Sequence, residues 1–98
     1  MRPFGRATEA QLREYGLAKQ ISAARVVRTP NGYLLLVTVS WKQQELLLYT
    51  TRNKPRSWMS ADRLVAHLLE ASPALVSFEV VLHPSVELVS QIGSSVID

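Results

Sequence analysis

Ser57, Ser60, Asp62, His67 and His83 are the side chains of this sequence that could do nucleophilic or acid–base chemistry. A serine hydroxyl becomes a nucleophile when an imidazole and a carboxylate are set beside it, commonly on a strained Gly-x-Ser-x-Gly elbow. No such elbow surrounds either serine. Ser60 directly precedes a helical pattern, where its hydroxyl is better suited to capping. His67 lies at the edge of that helix's apolar stripe, and His83 stands before Pro84 at a strand end. With no cysteine and no carboxylate at ligand spacing, the two histidines do not form a metal site. The four glycines are scattered along the chain, so there is no phosphate-cradling loop. Enzymatic chemistry, a metal and a cofactor are therefore not expected.

Residues 50–63 offer a different chemistry. They hold Arg52, Lys54, Arg56 and Arg63 against one acid, Asp62, with Pro55 stiffening the segment and Trp58 following it. Phosphate oxygens are contacted by Lys and Arg, by hydroxyls and by helix N-termini, and this stretch supplies all three. Arg25, Arg28 and Lys42 extend the set of candidate nucleic-acid contacts. Strand residues alternate between faces, so Arg25 and Arg28 project from opposite sides, and a bulge at Gly32 would decide which joins an exposed face. Tyr33, Trp41 and Tyr49 fit two readings, as stacking platforms of a single-strand binder or as core residues of alternating strands. Trp58 and Met59 likewise read either as part of the binding surface or as the anchor that closes the helix onto the sheet.

Charge is divided unevenly around these residues. Residues 1–63 hold all 11 Lys and Arg and four acids, a net of +7, whereas residues 64–98 hold four acids and no cation, a net of −4. Such a division points to a basic face for an anionic partner and a second region with another task. A chain of 98 residues makes a single domain with one thin core. The lack of cysteine fits a reducing compartment. The opening residues lack the apolar segment of a secretory leader, and the longest apolar run, 33–37, is far short of the roughly 20 residues of a spanning helix. A cytoplasmic, non-membrane protein is expected.

The elements that must position these groups follow from pattern. Thr8-Glu9-Ala10-Gln11 has the form of a capping box, and Leu12 and Tyr15 follow, so a short helix is expected over 8–16 with Gly16 as its stop. Strands are expected over 21–28, 33–41 and 46–52. Thr29-Pro30-Asn31-Gly32 is the first turn, and Lys42-Gln43-Gln44-Glu45 the second. Leu34 and Leu36 make the second strand apolar on both faces and so central. Leu64, Val65, Leu68 and Leu69 recur at helical spacing from the Ser60 cap, giving a helix over 60–71. A fourth strand over 75–82 is expected to point Val76, Phe78, Val80 and Leu82 inward. A short C-terminal helix follows Pro84. The expected class is α+β: an antiparallel meander with helices packed on one face.

Residues 24–69 resemble small proteins of bacterial plasmids and integrative elements. The likeness rests on two apolar strands followed by Arg56-Ser57-Trp58-Met59-Ser60-Ala61-Asp62-Arg63-Leu64, an Arg-x-aromatic-x-Ser entry into a helix. The order of three strands and a helix is also similar to DNA-reading modules at the N-termini of some phage integrases, which lay the sheet on the duplex. That resemblance implies a DNA-binding protein of a mobile element. The expectation is thus a small nucleic-acid-binding protein whose basic loop contacts DNA phosphates, with single- or double-stranded DNA left open. The alternative is a non-enzymatic protein-interaction module acting as a homodimer through an apolar sheet face. A homodimer is expected on either reading, because one small domain has little mass to cover both faces of the second strand.

Overall fold

The computed structural model of the protein describes residues 4–96, with side chains to residue 93. The opening residues 1–3, read above for the lack of a leader, and the acid Asp98 lie outside the described residues. In chain order the elements are β1 (Gly5–Ala7), α1 (Glu9–Leu17), β2 (Ile21–Thr29), β3 (Gly32–Val39), β4 (Leu46–Leu48), β5 (Ser57–Trp58), α2 (Ala61–Ala71), β6 (Glu79–Val81) and α3 (Val86–Val96). The α+β class matches the expectation. The short strands β1 and β5 are additions to it.

Gly32, at φ 128°, lets the chain leave the Pro30-Asn31 turn directly into strand pairing with Thr29, whose hydroxyl donates to the Gly32 carbonyl at 2.7 Å. β3 is central, as its two apolar faces require: β2 flanks it on one side, and β4 and β5 on the other. The sheet is mixed, not antiparallel throughout. Its order is β1-β4-β3-β2-β6, and both end strands, β1 on β4 and β6 on β2, pair in parallel. The third strand ends at Leu48 and not at residue 52, because the chain turns back on itself and rejoins through a Tyr49–Pro55 bridge.

The helices do not share one face. Leu35, Val37 and Val39 of β3 pack beneath α1 and α2 with Leu12, Leu64 and Leu68. Leu34 and Leu36 pack with Val27, Leu47, Leu88 and Ile92 beneath α3. A strand apolar on both sides needs a layer on each. The second layer, expected from another subunit, is supplied here by the chain's own last helix.

α1 and α2 run alongside each other in the same direction. Glu9 meets His67, Arg13 meets Glu70, and Gly16 lies against Ala71. Thr8 and Gln11 form the capping box, with Thr8 N donating to Gln11 Oε1 at 2.9 Å. Gly16 does not stop α1; it sits inside the helix, where a Cβ would stand 1.8 Å from the Ala71 carbonyl oxygen. The stop is Lys19 at φ 57°, with Lys19 N donating to Gly16 O and Gln20 N to Tyr15 O, the paired bonds of a Schellman ending. β6 is shorter than expected. Val76 is 97% exposed, Val80 and Leu82 are about half exposed, and Leu75 and Phe78 reach the first core while Val81 reaches the second.

Candidate nucleic-acid interface

The basic segment after β4 is held in one shape by its own backbone. Thr50 N donates to Lys54 O at 2.7 Å, Asn53 N to Thr50 O at 3.1 Å and Arg56 N to Leu48 O at 2.9 Å. Asn53 takes the left-handed conformation at φ 63°, which asparagine tolerates better than most residues. The result is a tight turn with Arg52 and Lys54 exposed at its tip, opening into a shallow concavity lined by residues 50–52 and 54–57. That lining contains the cations Arg52, Lys54 and Arg56 and the hydroxyls of Thr50, Thr51 and Ser57, with no acid.

Arg6 is a fourth cation at this turn. β1 pairs with β4 so that Arg6 lies opposite Leu47, and its guanidinium stands 4.3 Å from the Tyr49 ring centroid and donates to the Asn53 side-chain carbonyl. Sequence reasoning missed Arg6, because its partner lies 47 residues away and β1 is too short to show a strand period.

Arg56 leads from the turn to the α1–α2 corner. Its guanidinium is 5.0 Å from the Trp58 ring centroid and 3.8 Å from Glu9 Oε1. Glu9 is shared, since it also accepts from Arg13 at 2.7 Å and lies 2.8 Å from His67 Nε2. The Glu70 hydrogen bond, with Glu9 contributing, raises the Arg13 pKa above its ordinary value. His67 is therefore a mostly buried partner of a carboxylate. No serine is bonded to it among the described residues, where Ser60 instead caps α2 by accepting from Arg63 N.

The other candidates are dispersed. Arg25 faces the α3 side of the sheet, where Nε and Nη2 donate to the two Glu45 oxygens at 2.8 and 2.6 Å. Those bonds raise its pKa further, against the opposing effect of partial burial, with Glu79 adding to the attraction. Arg28 projects from the opposite face, as its spacing from Arg25 requires; the bulge that adjusts β2 lies between Ile21 and Ala23 and not at Gly32. Lys42 is exposed before β4, at the far end of that strand from the turn. Arg63 is exposed in the first turn of α2, one helical turn before His67.

The aromatic residues divide between core and surface. Trp58 and Tyr49 are buried in the two cores, and Tyr33 is packed against the first. Trp41, which the sequence left open between core and surface, is 57% exposed and meets Tyr15 edge-on at 5.7 Å. Met59, at 86% exposure, is not part of the Trp58 anchor. No group of metal-ligating side chains exists among the described residues, and no helix among them is long and apolar enough to cross a membrane. Comparison with protein-family models, with curated proteins and with solved structures gave no match.

Proposed function

We propose that this protein binds nucleic acid, most simply DNA, through the rigid turn formed by residues 50–57. The observation that carries the reading is the acid-free concavity in which Arg52, Lys54 and Arg56 converge with three hydroxyls. Phosphate-directed binding needs no base-reading element, and these are the donor types that contact backbone oxygens. Both faces of the sheet are covered by helices, so contact runs through the turn at the sheet's end and not through a bare sheet laid on the duplex. Arg25 is committed to Glu45 and is left out of the contact set. A kinship with proteins of plasmids and integrative elements belongs to this same proposal and rests on the Arg56–Leu64 pattern.

The test is binding to short duplex and single-stranded DNA as a function of salt. Three cations meeting phosphates give a slope of log K against log salt of about −3 for duplex. The double variant Arg52→Ala/Lys54→Ala, which leaves the Arg56–Glu9 contact in place, should flatten that slope by about 2 units across all sequences. An unchanged slope in the folded variant, or no binding by the parent at about 50 mM salt, refutes the proposal.

A further inference from the structure

The sheet ends on one side in β6, which pairs with β2 along one edge, and no described strand pairs along its other edge. An open strand edge carries unpaired N–H and C=O groups, and a monomer commonly guards it with Lys, Pro or a bulge. Residues 75–82 hold no Lys, Arg or Pro, and their single charge is Glu79. Val80 and Leu82 are about half exposed, and Val76 is almost fully so. Extended chain rich in Val, Phe and Leu is what a further strand pairs with and packs against. Both faces of the sheet are already filled by the chain's own helices, so the open side of this fold is an edge and not a face.

We infer that β6 is a dimerisation edge, which pairs antiparallel with β6 of a second copy of this chain. The occupant follows from how the segment matches itself. In an antiparallel pair about a two-fold axis normal to the sheet, residues equally distant from the axis stand opposite each other on one face. An axis at Glu79 sets two carboxylates opposite each other, which is repulsive. An axis at Val80 sets each Glu79 against a valine. An axis at Val81 sets each Glu79 against the partner's His83, and each Val80 against the partner's Leu82. All four of these residues are exposed in the single chain, so this register joins acid to imidazole and covers exposed carbon, each twice. Glu79 keeps Arg25 beside it on β2, its register neighbour within the chain. The chain bends at residues 82 and 83, so pairing extends β6 by those two residues. Pro84, which has no N–H, ends the ladder. Such a contact uses the same edge on both copies and therefore closes at two. The basic turn follows β4, beyond β2 and β3 from this edge, and stays uncovered.

The experiment is sedimentation equilibrium of the full chain over a range of concentrations, with ¹H–¹⁵N spectra of the same samples. A strand-edge contact lies below about 1,200 Å², so a dissociation constant of about 0.1 mM is expected. The mass should rise from 11.0 kDa to twice that value and no further, with amide shifts confined to residues 76–84. In a mixture of ¹³C-labelled and unlabelled chains, intermolecular NOEs should join the Val80 methyls to those of the partner's Leu82. Val80→Lys should weaken the dimer about tenfold with the spectrum away from β6 unchanged. His83→Glu should weaken it about threefold, and His83→Lys should not. Should Val80→Lys fail to fold, Leu82→Lys takes its place, since Leu82 lies beyond the strand. A parent that stays at 11.0 kDa at about 1 mM overturns the inference. So do growth past the dimer, undiminished association of the folded lysine variant or of His83→Glu, and NOEs joining Val80 to the partner's Val80. A monomeric parent whose β6 amides shift on adding a peptide of alternating Val and Thr overturns the second copy in favour of a foreign strand.

Discussion

Replacing Gly16 with alanine tests the packing of α1 on α2 directly. On a solvent-facing helix this change stabilises by about 1 kcal/mol, because glycine gives up more backbone freedom on folding. Here the new Cβ falls 1.8 Å from the Ala71 carbonyl oxygen, 2.8 Å from its carbon and 3.2 Å from Ser72 Cα. All three are backbone atoms that no rotamer change can move. The helices must separate by about 1.5 Å to restore ordinary C···O contact. That movement pulls on the Glu9–His67 and Arg13–Glu70 contacts and on buried Leu12. Overpacking of this kind costs about 3 kcal/mol, so the net loss is about 2 kcal/mol. For a domain of this size it lowers the Tm by about 8–16 °C. Gly93→Ala is the control, since α3 leaves nothing within 4 Å of its Cβ position; it should raise the Tm by about 4 °C. Thermal unfolding followed by circular dichroism reads both. A Gly16→Ala protein as stable as the parent would show that the helices do not touch there.

Lys19→Gly should stabilise by about 0.5–1 kcal/mol in urea unfolding, because glycine holds the left-handed ending of α1 without a Cβ penalty; a lower midpoint would refute the Schellman geometry. Glu45→Gln leaves the half-buried Arg25 without its two-pronged partner and should cost about 1–2 kcal/mol by the same assay, and an unchanged midpoint would show the pair to be incidental. Glu9→Gln removes the acid beside Arg56, so DNA binding at a fixed salt concentration should tighten with the salt slope near its parent value. Weaker binding by that variant in its folded form would place Arg56 outside the contact.

The parts of the fold legible in the sequence are those set by local chemistry. The Thr29–Gly32 turn, the Thr8 capping box, the Ser60 cap and the apolar stripe of α2 each depend on residues within one or two turns of each other. What was not legible depends on distant partners. Gly5–Ala7 becomes a strand only because Leu46–Leu48 lies beside it, and Ser57–Trp58 because Tyr33 and Leu34 do. Gly16 is a contact point and not a stop because Ala71 arrives against it. The doubly apolar β3 correctly implied two covering layers, but the pattern of Leu88 and Ile92 does not say whose strand they cover. The same division holds at the basic turn: Arg52, Lys54 and Arg56 are neighbours in sequence, whereas Arg6 and Glu9 reach them only through β1 and the docking of α1.

The parallel end strands set the order in which the chain can assemble. The β2–β3 hairpin closes across two residues, while β1 must wait for residue 46 and β6 must find β2 from residue 79. Closing those longer loops costs about 2 kcal/mol more chain entropy than closing the hairpin. The hairpin is therefore the natural nucleus, and the two edges zip onto it late. Native-state hydrogen exchange should show the same hierarchy in reverse, with the amides of β1 and β6 opening at lower free energy than those of β2 and β3. Arg6 rides on one of these late edges, so the basic turn is completed by a segment that folds last.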